Sequence, residues 1–172
     1  MLGNPVARTL IVVPKSIVSQ WVTELKRFAP GLRVYAYDGP TRELKPIESS
    51  DVVITPYSVT TNRKNPESGT PLHRFAGDRI ILDEGHEIRN MKPRTHKGIC
   101  TFRSSIRWIL SGTPVFNNMK DFVALCVFLG IPQKQVQAYP EKIRASYMLR
   151  RTKEDVAKFN KRLELPPCDF QN

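Results

Sequence analysis

Five short runs of apolar and β-branched residues punctuate the chain: Thr9 to Val13, Leu32 to Tyr37, Asp51 to Thr55, Arg79 to Leu82 and Ile106 to Leu110. Three of them are near-continuous rather than alternating, the pattern of strands buried on both faces of a parallel sheet. Between the first two, Ile17, Val18, Trp21, Val22, Leu25 and Phe28 recur at helical spacing, with Ser16 placed to cap the helix. Met119 to Leu129 is apolar nearly all round, which predicts a buried helix that Gly130 can end. Strands alternating with helices predict an α/β domain, a parallel sheet flanked by helices in three layers. Asn62 to Pro71, with Pro66, Gly69 and Pro71 among polar residues, reads as an exposed loop. Beyond about Pro132 the strand pattern stops, and the chain reads as helical and basic until Pro166-Pro167. The expected division is therefore 1–131 for the lobe and 132–172 for a helical extension.

The polar residues that directly follow the strands converge. Val13 is followed by Pro14-Lys15-Ser16, Ile54 by Thr55-Pro56-Tyr57, Leu82 by Asp83-Glu84, and Leu110 by Ser111-Gly112-Thr113-Pro114. In open parallel sheets ligands bind outside the carboxyl ends of the strands, so these signatures share one edge. Adjacent carboxylates there suit nucleotide hydrolysis: one holds a Mg²⁺ that bridges phosphates, usually through water, and the other orients or deprotonates the attacking water. Gly85 permits a tight turn, and His86 can reach a neighbouring strand end. Taken alone, the Asp83-Glu84 dipeptide reads as a solvated acidic turn.

Charge adds a candidate partner. Lys and Arg total 27 against 16 Asp and Glu, a net charge of +11 in 172 residues. From Ile88 to Lys120 there is no acidic residue, whereas Arg89, Lys92, Arg94, Lys97, Arg103, Arg107 and Lys120 are basic. A second basic cluster runs from Lys134 to Arg162 and includes Arg150, Arg151 and Lys153. Such blocks suit a polyanion, because each neutralised phosphate releases condensed counterions; a solvated basic surface is the alternative. The three cysteines, Cys100, Cys126 and Cys168, are widely separated and imply no disulfide framework. His96 and Cys100 would share a helix face, but two ligands do not make a metal site. With no apolar run of membrane-spanning length and no signal-peptide layout, an intracellular location is expected.

The string Asp83-Glu84-Gly85-His86-Glu87-Ile88-Arg89-Asn90 resembles the DExH-type motif II of the Swi/Snf-type ATPases of helicase superfamily two. Its neighbours agree in order. Leu10 to Trp21 is similar to motif Ia, Asp51 to Tyr57 to motif Ib, and Arg107 to Asn118 to motif III and its extension. Met148 to Val156, followed by Leu165-Pro166-Pro167, looks like the segment that joins the two lobes of that family. The Arg107-Trp108 pair also resembles the branch of helicase-like transcription factors and DNA-damage-tolerance proteins.

The resemblance implies a RecA-like parallel sheet, here an incomplete N-terminal lobe with a helical basic extension. It implies ATP and Mg²⁺ as cofactors, with Asp83 assisting Mg²⁺ through water and Glu84 activating water. It implies coupling of His86 to Ser111, Gly112 and Thr113, and contact of Lys15, Ser16, Thr55, Tyr57 and Asn117 with double-stranded DNA. Trp21 is assigned to core packing. Partners would be duplex DNA, nucleosomes or DNA-bound protein, with nuclear location in a eukaryote or a nuclear virus. The family's phosphate loop of the form G-x-x-x-x-G-K-[ST] has no counterpart, since no Gly-Lys dipeptide occurs. A second lobe is not seen either, so both would come from a longer protein or a second polypeptide. The chain alone is expected neither to hydrolyse ATP nor to translocate. Two other readings stay open: a non-catalytic DNA- or chromatin-binding module, and a regulatory partner of an intact motor.

Overall fold

The computed structural model describes residues 8–40, 47–60, 70–75, 78–90, 93–112, 119–151 and 155. The chain divides into two compact units, Met1–Gln137 and Ala138–Asn172. In the first, β1 (Thr9–Val13), β2 (Val34–Ala36), β3 (Val52–Pro56), β4 (Arg79–Leu82) and β5 (Ile106–Ile109) form one sheet in the order β2-β3-β1-β4-β5. Every pairing is parallel, with Leu10 opposite Val53 on one side and Ile80 on the other.

The near-continuous apolar runs are explained by burial on both faces. Leu10, Val12, Val53, Ile80 and Leu82 point into one core, with Leu72, Phe75, Ile88, Ile99, Phe102 and Phe128. Ile11, Val13, Val52 and Ile54 point into the other, against Val18, Trp21, Val22 and Leu25. The first core brings in residues of α2 (Pro71–Phe75), α3 (Glu87–Asn90), α4 (Pro93–Cys100) and α5 (Met119–Phe128), whereas the second is covered by α1 (Val18–Phe28). α6 (Gln133–Ala138) follows, and the second unit holds α7 (Pro140–Tyr147), with Pro140 in its first turn and Ile143 buried. Proline is tolerated there because the first-turn N–H has no helical partner.

Three expectations change in detail. Ser16 does not cap α1: Lys15–Ile17 forms a single 3₁₀ turn, and the α-helix starts from Ile17 without a side-chain cap. Phe28, in the last position of α1, is largely exposed and lies beneath the Arg27 guanidinium, 5.0 Å from the ring centre. β5, whose run is broken by Arg107, lies at the edge of the sheet. Ile106 and Trp108 are exposed, Trp108 by 53%, while Arg107 and Ile109 are half-buried. Pro71 begins α2 rather than closing a loop, and residues 61–69 lie outside those described. Gly130 does end the α5 segment, at φ +87°, with its N–H bonded to the Val127 carbonyl and the Ile131 N–H to that of Cys126.

Arg107, counted above with the basic block, is spent inside the fold. Its guanidinium donates to the carbonyls of Phe128 at 2.6 Å and Phe102 at 2.5 Å. A cation at the end of α5 satisfies a terminal carbonyl and meets the negative end of the helix. His96 lies 3.1 Å from the Ala124 carbonyl and joins α4 to α5, with the Cys100 sulfur 3.8 Å from its ring nitrogens. Burial raises the Cys100 thiol above its ordinary range, which suits an unreactive thiol.

Candidate functional site

The site is built on the continuation of the ladder past Leu82. The Asp83 N–H bonds the Val12 carbonyl at 2.9 Å, and the Gly85 N–H bonds that of Leu110 at 2.8 Å. Residues 83–86 are thereby pinned to β1 on one side and to the end of β5 on the other. Gly85 is required for a steric reason, since a Cβ there would lie 2.1 Å from the Ile109 side chain. Glu84 takes the left-handed conformation, φ +50°, and its carbonyl accepts the Glu87 N–H at 2.8 Å as α3 begins. Non-glycine residues enter that region rarely, and they do so mostly at turns and functional sites.

The Asp83 carboxylate is held from two directions. Oδ1 accepts the Glu84 N–H at 2.8 Å, and Oδ2 accepts the indole N–H of Trp21 at 2.7 Å. The Asp83 carbonyl accepts the Tyr57 hydroxyl, also at 2.7 Å. Burial first, then the nearby Asp83, Glu87 and Glu84 carboxylates, push the Tyr57 phenol far above its ordinary range, so it stays a donor. Glu84 opens to solvent, with its side chain 41% exposed, and its Oε2 lies 3.0 Å from Nδ1 of His86. A carboxylate only accepts, so Nδ1 carries the proton in that pair. The second ring nitrogen lies 3.9 Å from Glu87.

The strand-end residues separate into two groups. Lys15 and Ser16 are exposed on their 3₁₀ turn, and Ser111 and Gly112 follow β5 close to the Gly85 turn. Thr55 and Tyr57 are elsewhere. Thr55 is fully buried, with its hydroxyl given to the Tyr37 carbonyl at 3.0 Å, and Tyr57 is buried on Asp83. Both were expected on a DNA track. Their polar atoms instead hold the interior, because a strand end between two covered faces leaves them no solvent. Thr113 and Asn117 lie outside the described residues. The residues missed are Trp21 and Tyr57 as supports of Asp83. The available signal was general: indole N–H and phenol O–H groups find an acceptor when buried.

The donor set fits Mg²⁺. Among the described residues no group of three or more His, Cys, Asp or Glu could cage an ion. Mg²⁺ is ordinarily bound through one or two carboxylates with waters and phosphates completing an octahedron. Asp83 and Glu84 supply that minimum, each with lone pairs left over.

Comparison with known proteins adds the lineage. The model of the SNF2-related domain matches residues 4–144. The chain belongs to the SNF2-related domain family. Helicase-like transcription factor of Homo sapiens is 36% identical over 126 residues, 70% of this chain and 12% of that protein. DNA repair protein RAD5B of Arabidopsis thaliana is 35% identical over 188 residues, 95% of this chain and 15% of that protein. Among solved structures, the Sulfolobus solfataricus SWI2/SNF2 ATPase core in complex with dsDNA superposes with a TM-score of 0.73 at 26% identity. It covers 90% of this chain, which covers 36% of that one. The SNF2-related domain described here thus has the parallel five-stranded sheet of the RecA-like lobe of SNF2 ATPases, and spans a minor part of its relatives' length.

Proposed function

We propose that this chain is part of an ATP-dependent double-stranded DNA translocase of the chromatin-remodelling and DNA-repair type. The observation that carries the reading is the Asp83-Glu84 pair at the end of β4, with the Asp83 carboxylate already fixed by two N–H donors. Preorganised groups need no reorganisation at the moment of reaction, which is where most electrostatic catalysis lies.

Asp83 would hold Mg²⁺ through water. When bound, Mg²⁺ supplies charge neutralisation of the β- and γ-phosphates. Glu84, half in solvent and paired with His86, orients the attacking water and takes its proton. His86 is proposed to couple the nucleotide site to Ser111, Gly112 and Thr113. Lys15 and Ser16, exposed on the first strand-end turn, contact phosphates of the duplex and carry no sequence preference. Asn117 is proposed to extend the same track. A phosphate loop and a second lobe, in cis or in trans, complete the site. The isolated chain then neither hydrolyses ATP nor translocates. Nuclear location is proposed for a eukaryotic source; among the described residues no helix is long and apolar enough to cross a membrane.

The test is a transplant. This chain replaces the matching segment of a SWI2/SNF2 ATPase core, and ATP turnover is measured with and without duplex DNA. The expected result is DNA-stimulated turnover in the chimera and none in the isolated chain. Robust stimulated turnover by the isolated chain, lost on Glu84→Gln, would overturn its incompleteness. The net charge of +11 favours, as a second reading, a silent DNA-binding module. That reading expects duplex binding with no turnover in the folded chimera.

A further inference from the structure

We propose that Trp21 is a positioning residue for Asp83, and that its indole N–H sets the affinity of the site for a divalent cation. The inference rests on the reading of Asp83 as the Mg²⁺-assisting carboxylate. Indole is a donor only, and its partner here is an anion, so the 2.7 Å bond to Oδ2 is charge-assisted. The Glu84 N–H occupies the other oxygen at 2.8 Å, and Tyr57 holds the main-chain carbonyl of the same residue. Rotation of the carboxylate breaks at least one of these bonds. Each oxygen keeps a further lone pair for a metal-bound water.

The donor is itself fixed. Trp21 packs with Val22 and Leu25 of α1 against Ile11, Val13 and Ile54 of the sheet. It stands in the first turn of α1, directly after the exposed Lys15–Ile17 turn. A phenylalanine would fill much of the same space without the N–H. Removing a group that orients a metal-binding side chain typically costs about 10–100-fold in metal affinity.

The chain contains two tryptophans, and Trp108 is 53% exposed, so the two indole N–H resonances of the full ¹⁵N-labelled chain are distinguishable. The Trp21 indole proton is expected at low field and slow to exchange with solvent, and Asp83→Asn should shift it while leaving Trp108 in place. Added Mn²⁺ should broaden the Trp21 resonance before that of Trp108. By electron paramagnetic resonance of free Mn²⁺, Trp21→Phe should weaken binding about 10-fold or more. Val22→Ala, a packing change on the same helix, should lower stability and leave Mn²⁺ affinity unchanged. Unaltered Mn²⁺ affinity in folded Trp21→Phe would overturn the proposal alone. If Trp21→Phe does not fold, a Trp21 resonance indifferent to Asp83→Asn overturns it instead. No selective broadening in the wild type, with Asp83→Asn binding Mn²⁺ equally, would overturn the cation reading and the proposal with it.

Discussion

Glu84 and Gly85 show how a single turn can be tuned against stability. The left-handed backbone of Glu84, φ +50°, costs on the order of 1–3 kcal/mol for a residue with a Cβ. Glycine would adopt it without that strain, at an entropic cost of about 0.5–1 kcal/mol in the unfolded chain. Glu84→Gly should therefore raise the urea midpoint, by about 1 kcal/mol in stability, while removing the carboxylate. A lower midpoint would show the conformation to be unstrained. Gly85→Ala should act in the opposite direction: its Cβ would meet Ile109 at 2.1 Å, and overpacking of this kind costs about 1–3 kcal/mol. The identity of these two residues was legible from their place after an apolar run. The supports of Asp83, the residue before them, were not. Trp21 lies 62 positions from Asp83 and Tyr57 lies 26, and apolar periodicity says which face a ring covers but not which acceptor its polar atom finds.

At the scale of elements, most of the strands could be read because burial on both faces leaves an unbroken apolar run. β1 and β4 coincide with their runs, whereas Leu32 to Tyr37 contracts to Val34–Ala36. β5 is interrupted by Arg107, and its alternating exposure, with Ile106 and Trp108 out and Arg107 and Ile109 half-buried, fits its place at the sheet edge. The start of α1 was misplaced for a local reason: Pro14 sets up a 3₁₀ turn that uses Ser16 within it. Central β1 should tolerate truncation poorly. Leu10 is fully buried, and Leu10→Ala should cost about 2–5 kcal/mol by denaturant unfolding, against near-neutral change at exposed Ser19.

The approach to β2 and the start of β3 are clasped by Arg33 and Asp51. The Asp51 carboxylate accepts the Arg33 N–H at 2.8 Å and two guanidinium bonds at 3.0 and 2.7 Å. Those hydrogen bonds hold the Asp51 pKa down, from 3.8 to about 2. A carboxyl group depressed on folding stabilises above its unfolded pKa, and that contribution is lost as pH falls through the folded value. Urea midpoints should thus fall between about pH 4 and pH 2 more steeply in the wild type than in Asp51→Asn. Equal slopes would mean the pair contributes nothing.

On the scale of the whole molecule, charge and lineage point the same way, but they do so through different residues than composition suggested. Arg107 is committed to the Phe102 and Phe128 carbonyls, so the basic block contributes less to a polyanion surface than its count implies. Exposed Lys15 is the better candidate. If it contacts a DNA phosphate, neutralising it should reduce the slope of log affinity against log salt by about one, uniformly across sequences. An unchanged slope would remove Lys15 from the track. The family could be recognised from the ordered strand-end motifs because function concentrates there in parallel sheets. The matched segment spans 12% of the human relative.

The central claim is that Asp83 and Glu84 are the hydrolytic pair of an SNF2-type lobe. Its most direct test is ATP turnover at saturating duplex DNA in the chimeric core, wild type against Glu84→Gln, with nucleotide affinity measured in parallel. The account predicts turnover lowered by about 10²–10⁴-fold with nucleotide binding retained, as expected for loss of a general base. Turnover within a few-fold of wild type in the Glu84→Gln chimera would contradict it.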